Sequence, residues 1–136
     1  MRIILLDLNY TLVANSEVKI EPFTLQVTNE TYRMKLIKRI KHNHVIMITA
    51  RPEFYKELTL SNIKKKTGWQ PNESFFNYLN LPPPVLKESI IKKHILGIYE
   101  VQSLLAIESN PLTRAMYKRH SIQAITFDEF LNKERH

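Results

Sequence analysis

Runs of strand length recur along the chain at residues 2–6, 45–48, 103–107 and 122–126, and the first three are almost continuously apolar. Continuous rather than alternating hydrophobicity predicts strands covered on both faces. Between these runs the apolar positions recur at helical spacing. Leu36, Ile37 and Ile40 predict a helix over 28–41 with Thr28 as its cap, and a second is predicted over 53–66, opened by Pro52 and closed by Gly68. Ile90, Ile91 and Ile95 predict a third over 86–96. From Pro111 a fourth is expected to turn Leu112, Ala115 and Met116 inward and Arg114, Lys118 and Arg119 outward, and a terminal helix is expected over 128–133. Residues 17–27, interrupted by Pro22, read as irregular or β-like. Residues 71–84, with Phe75, Phe76, Tyr78 and three consecutive prolines, read as a short strand and a loop. Strand and helix alternate almost throughout, so the expected fold class is α/β: a Rossmann-like three-layer α/β/α sandwich on a mostly parallel sheet. The length of 136 residues suits a single domain over 1–136.

Three of the strands end in polar residues: Asp7-Leu-Asn9-Tyr-Thr11, Thr49-Ala-Arg51 and Glu108-Ser109-Asn110. Along an extended chain Asp7, Asn9 and Thr11 would share one face. An ionised Asp at the tip of a buried strand is costly unless something compensates it, which points to a site. A parallel sheet gathers such tips on one edge, where ligands collect. Lys87, at the head of the third helix, reaches the same edge. The set suits phosphoryl transfer. Asp7 can act as nucleophile, Asp7 and Glu108 supply hard oxygens for Mg²⁺, and Thr49, Lys87 and Arg51 can bind phosphate oxygens.

Charge supports a phosphate-bearing partner. The net charge is +7, and the cations cluster at Lys35 to Lys41, Lys64 to Lys66, Lys87 to Lys93 and Arg114 to Arg119. There is no Cys, which excludes thiol chemistry and thiolate metal sites. With only Gly68 and Gly97 the chain has no Gly-rich phosphate loop. The first apolar run meets Asp7 too soon to be a secretory segment, and no stretch is long enough to span a bilayer, so a cytoplasmic location is expected. The five His show no metal-ligand spacing joined to a carboxylate.

Taken in order, Asp7-Leu-Asn9-Tyr-Thr11, Ile48-Thr49, Lys87 and Ile107-Glu108 resemble the haloacid dehalogenase-like superfamily of aspartate-nucleophile phosphotransferases. Thr49-Ala50-Arg51, Val85-Leu-Lys87-Glu88, Lys93-His94 and Met116-Tyr-Lys-Arg119 are similar to the phosphatase domain of polynucleotide kinase/phosphatases, without any kinase portion. The resemblance implies Asp7 as nucleophile, Thr49 and Lys87 as phosphate clamps, and Arg51 and Thr11 as substrate contacts. It also implies Asp7, the backbone carbonyl of Asn9 and Glu108 as the Mg²⁺ site. The implied activity is a phosphatase, a phosphoric monoester hydrolase, acting on nucleotides or nucleic-acid ends through an aspartyl phosphate. No stretch is long enough for a large cap domain.

The pattern breaks at position 9, where the family has its general acid/base Asp. An amide neither gives nor takes the proton, and losing a positioned acid/base removes about 10² to 10⁴ in rate. Tyr10 replaces the usual Gly, and the acidic pair is reduced to Glu108-Ser109. The expectation is therefore a slow enzyme, with a weakened relative that binds phosphate groups of nucleic acid or a partner protein as the alternative.

Overall fold

The first apolar run becomes β1 (Ile3–Leu6), and every one of its residues is buried because a strand lies on each side and helices cover both faces. The computed structural model describes residues 2–134, the last through its backbone alone, so the ends of the domain expected over 1–136 lie outside the described residues. The remaining strands are β2 (His44–Pro52), β3 (Glu73–Asn77), β4 (Leu104–Ile107) and β5 (Gln123–Ile125). All pair in parallel in the order β3-β2-β1-β4-β5. The helices are α1 (Phe23–Asn29), α2 (Met34–Ile40), α3 (Lys56–Thr67), α4 (Pro83–His94), α5 (Pro111–Arg119) and α6 (Phe127–Glu134).

Side-chain alternation divides the strands between two cores. Ile4, Leu6, Val45, Met47, Leu105 and Ile107 pack with Leu36, Ile37 and Ile40 of α2, Ile63 of α3 and Phe130 of α6. Ile3, Leu5, Ile46, Ile48, Leu104 and Ala106 pack on the opposite face with Leu86, Ile90 and Ile91 of α4 and Met116 and Tyr117 of α5. The result is a Rossmann-like three-layer sandwich, with the sheet wholly parallel. Leu5 sits on the central strand and is 1% exposed. Leu5→Ala is expected to lower the unfolding free energy by about 2–5 kcal/mol, read from urea titration.

The chain starts in the middle of the sheet, builds outward to β3, then returns to lay β4 against the other side of β1. The connections therefore part between β1 and β4, and the carboxyl ends of these strands flank an open crevice.

Several local expectations are corrected. The helix expected over 28–41 is two helices, α1 and α2. Between them the backbone extends at Glu30 and Arg33, because Ala14 N–H bonds the Thr31 carbonyl at 2.8 Å and Arg33 N–H the Leu12 carbonyl at 2.8 Å. Part of the stretch read as irregular, from Phe23 on, is thus helical, and the Thr28 hydroxyl donates back to Leu25 O rather than capping α2. β2 runs past Ile48 to Pro52, with its register against β3 shifting between those two residues. Glu53–Tyr55 form a short 3-10 turn before α3, which ends at Gly68 in the left-handed conformation as expected. On α5 the inward face is Thr113, Met116 and Tyr117, while Leu112 is 69% exposed. Apolarity alone misplaced that face by one residue.

Candidate phosphate-binding site

Asp7 is fixed by the sheet. Its N–H donates to the Ile107 carbonyl at 3.0 Å, one step beyond the paired strands, and Glu108 N–H donates to the Ile125 carbonyl at 2.9 Å. The two carboxylates are thereby set on adjacent strand tips at the crevice. Residues 8–12 then coil instead of extending. Val13 N–H returns to the Leu8 carbonyl at 3.0 Å, Tyr10 adopts φ 62°, and Ser16 Oγ accepts the Tyr10 N–H at 2.8 Å. The expected alternation of Asp7, Asn9 and Thr11 along one extended face does not occur. The coil instead brings Thr11 behind Asp7, where its hydroxyl donates to Oδ2 at 2.8 Å.

Lys87 enters from the first turns of α4 and bridges the two acids, with Nζ 2.9 Å from Asp7 Oδ1 and 2.6 Å from Glu108 Oε1. All three side chains are buried. Burial alone would raise the Asp7 carboxyl, but the Lys87 charge and hydrogen bonds hold it below the ordinary range. Glu108 goes the other way: burial pushes it up to about 7 against the pull of Lys87. Lys87 itself is held above its ordinary value, because the two carboxylates outweigh its desolvation. The neighbouring acids therefore divide their roles, with Asp7 the one kept ionised.

Ser109, to which the sequence reading gave no definite role, also holds Asp7. Its hydroxyl donates to Asp7 Oδ2 at 2.8 Å and lies 3.3 Å from the main-chain carbonyl of Asn9. Asn110 closes the loop, donating its N–H to Glu108 Oε2 at 3.0 Å and capping α5 by accepting from Leu112 N–H at 2.9 Å. Arg114 secures the same loop through the carbonyls of Glu108 and Ser109, at 3.0 and 2.8 Å.

A cavity of about 230 Å³ opens over this centre, lined by Asp7, Asn9, Tyr10, Thr49, Lys87 and Glu108 among others. Three donor groups of its lining residues have hydrogens with no acceptor among the described residues. Lys87 spends two of its three ammonium protons on the acids. Thr49 Oγ1 accepts from Arg51 N–H at 3.1 Å, leaving its own proton free. Asn9 Oδ1 accepts from Arg51 Nη2 at 2.9 Å, leaving its amide nitrogen unspent. Such a wall accommodates an anion with several acceptor oxygens.

Of the residues expected at the site, Asp7, Asn9, Thr49, Lys87 and Glu108 come together at the cavity. Thr11 and Arg51 lie outside its wall: Thr11 stands behind Asp7, and Arg51 is 3% exposed against Glu30. Glu30 went unnoticed in the sequence, since nothing near it in the chain pairs it with residue 51. In the basic run at 64–66, Lys64 bonds the main-chain carbonyl of Gly68 and Lys66 those of Thr28 and Glu30. Of the aromatic stretch, Phe76 is in the core, Phe75 stacks on His94 at 4.6 Å and Tyr78 is exposed. His44 opens β2, and its Nε2 lies 2.6 Å from Glu73 Oε2.

For a divalent ion, the oxygens that draw together are Asp7 Oδ2, the Asn9 carbonyl and Ser109 Oγ, while both Glu108 oxygens are engaged by Lys87 and Asn110. The donor set is hard, with one carboxylate facing the shared point. That fits Mg²⁺, which takes one or two carboxylates and completes its shell with phosphate oxygens and water. No group of three His, Cys, Asp or Glu gathers among the described residues.

The fold and site together define a Rossmann-like α/β protein carrying a carboxylate–lysine centre at the switch point of its sheet. No family model and no curated protein matches the chain. Solved structures do. The chain is similar to one in the structure of the Pnkp1/Rnl/Hen1 RNA repair complex, with TM-score 0.75 and 16% identity over 92% of this chain and 41% of that one. A second Pnkp1/Rnl/Hen1 complex gives TM-score 0.68 at 17% identity, over 91% of this chain and 44% of that one. A hypothetical protein from Xanthomonas campestris gives TM-score 0.51 at 14% identity, over 91% and 62%. At these identities the likeness is one of fold. This chain spans less than half the length of the two repair-complex chains. No described helix is long and apolar enough to cross a membrane.

Proposed function

We propose that the protein is a haloacid dehalogenase-like phosphatase of low turnover that acts on the phosphorylated ends of nucleic acids or on nucleotides. The observation that carries this reading is the cavity itself, lined by an ionised Asp and by three donor groups, on Lys87, Thr49 and Asn9, each with hydrogen unspent among the described residues. A terminal phosphoryl group offers three oxygens for those donors and a phosphorus for the carboxylate. The open crevice and the likeness in fold to chains of an RNA repair complex support a large substrate. Tyr10 on the rim, half exposed and backed by Lys19 with Nζ 5.1 Å from its ring centroid, offers a stacking surface for the terminal base.

In the proposed reaction Asp7 Oδ forms a bond to phosphorus as the ester P–O bond breaks, and the leaving oxygen takes its proton from water because Asn9 has none to give. Water then attacks phosphorus, the aspartyl P–O bond breaks, Asp7 returns to its carboxylate and the proton goes to solvent. Lys87 and Thr49 hold phosphoryl oxygens through both steps. Mg²⁺ would be held by Asp7 and the Asn9 carbonyl beside Ser109, with Glu108 joining on release from Lys87; it supplies charge neutralisation as carboxylate and phosphate approach.

With a leaving group that needs no proton, the missing acid does not slow the first step while the missing base still slows the second, so the covalent form should accumulate from such an ester. Intact mass spectrometry of wild type incubated with p-nitrophenyl phosphate and Mg²⁺ is expected to show the added mass of one phosphoryl group, absent in Asp7→Asn and reduced when Mg²⁺ is chelated, while binding of a 3′-phosphorylated oligonucleotide is measured alongside. Failure to form any adduct, together with no binding of the oligonucleotide's phosphate, would overturn the reading. Tight binding without an adduct would favour the alternative, a phosphate-binding relative that has lost turnover, for which the amide at Asn9 speaks.

A further inference from the structure

Arg51 was expected to touch substrate, yet it is buried behind the cavity and paired with Glu30. We propose that Arg51 is the positioning residue of the phosphoryl receptor, one whose guanidinium and main-chain N–H turn the donors of Asn9 and Thr49 into the cavity. The proposal rests on reading that cavity as a phosphoryl site.

The argument is one of hydrogen-bond polarity. A guanidinium donates and never accepts, so the Asn9 atom 2.9 Å from Arg51 Nη2 is the amide oxygen. The amide nitrogen is then the Asn9 group not spent on Arg51, and Asn9 lines the cavity. The same logic holds for Thr49. Its Oγ1 accepts the Arg51 N–H at 3.1 Å, so the hydroxyl proton points elsewhere, and Thr49 also lines the cavity. One residue thus sets the direction of two donors that are themselves far apart in sequence.

Arg51 is itself held through both terminal nitrogens, while its buried Nε has no hydrogen-bond partner among the described residues. Nη1 donates to Glu30 Oε1 and to Thr59 Oγ1, both at 3.0 Å, Nη2 donates to Glu30 Oε2, and the guanidinium lies 5.1 Å from the Phe23 ring centroid. Glu30 is 2% exposed, accepts from the Tyr32 hydroxyl at 3.4 Å, and has its carbonyl bound by Lys66 Nζ at 2.6 Å. The carboxylate cancels the guanidinium charge, so the pair orients the receptor without drawing the phosphate out of it. A flexible surface Arg would compete for the anion directly; this one is spent on aiming.

The test is a double-mutant cycle on binding of inorganic phosphate in the presence of Mg²⁺, followed by calorimetry. Removing Arg51 alone would strand a buried carboxylate, so Arg51→Met is made together with Glu30→Gln, and Arg51→Lys, which keeps the charge but not the planar fork, serves as a second variant. Each is checked for folding by circular dichroism. Asn9→Ala is expected to weaken phosphate about 10-fold, the scale of one hydrogen bond to an anion. Glu30→Gln/Arg51→Met should weaken it by a similar factor, and Arg51→Lys by less. Combining Asn9→Ala with Glu30→Gln/Arg51→Met should cost little more than either, because the same donor is lost by both routes. Multiplying losses would overturn the positioning role while leaving the cavity a phosphate site. No phosphate binding by wild type would instead remove the underlying reading.

Discussion

Asn9→Asp is expected to raise turnover of p-nitrophenyl phosphate by about 100-fold, toward the lower end of the 10²–10⁴ that a positioned acid/base supplies. The place for a carboxylate is already prepared, since one oxygen would take over the bond now made from Arg51 Nη2 to Asn9 Oδ1. That bond also sets the limit. A guanidinium on one oxygen favours the ionised form, so the new Asp should serve better as base than as acid, even with Glu30 sharing the guanidinium charge. The gain should therefore be greatest where the leaving group needs no proton, as with p-nitrophenol, and smaller for a 3′-phosphorylated oligonucleotide. Faster discharge should also remove the trapped adduct from the mass spectrum. Steady-state rates on both substrates check this; a folded variant no faster than wild type on either would count against Asp7 as nucleophile.

Lys87→Met should carry the largest penalty in stability. The ammonium is the counter-ion shared by Asp7 and Glu108, and both acids are buried. Breaking a buried ion pair by removing one partner costs about 3–5 kcal/mol, and here two acids are left facing each other. Glu108 can relieve part of this by keeping its proton. Its folded value is already raised above the ordinary one by burial, so the folded state holds a proton that the unfolded chain releases. Stability linked to such a group is full at low pH and is lost as pH rises toward the folded value. The penalty in Lys87→Met should accordingly be greater at pH 8 than at pH 6, and adding Glu108→Gln should restore much of it. Urea unfolding at the two pH values measures both effects; a loss under 1 kcal/mol at pH 8 would mean that the ammonium is not the counter-ion described.

What could be read from the chain follows from how local each signal is. The unbroken apolarity of residues 3–6 and 104–107 announces central strands, because a strand buried on both faces has no polar side to show. Asp7 and Glu108 were legible for a related reason: each is a polar residue just past the end of such an element, and Thr49 near the end of β2 and Lys87 near the start of α4 reach the same edge. The coil at residues 8–12 was not legible, since it depends on Tyr10 adopting a positive φ that a Tyr rarely takes, held by Ser16 from outside the motif. The break between α1 and α2 depends on backbone pairing of residues 12–14 with 31–33, a tertiary contact that overrides the helical spacing. Arg51 was seen, but its direction was not. Glu30, Thr59 and Asn9 decide where it points, and they are 21, 8 and 42 residues away along the chain.

The order of the strands has a consequence for synthesis. Lys87 and Ser109, which hold the Asp7 carboxylate, follow it 80 and 102 residues later. A nascent chain whose β4 has not left the ribosome has no assembled carboxylate–lysine centre. Contacts of such sequence separation also form slowly. Onset of phosphate affinity should therefore report completion of the whole sheet, and a truncated product would be silent rather than partly active.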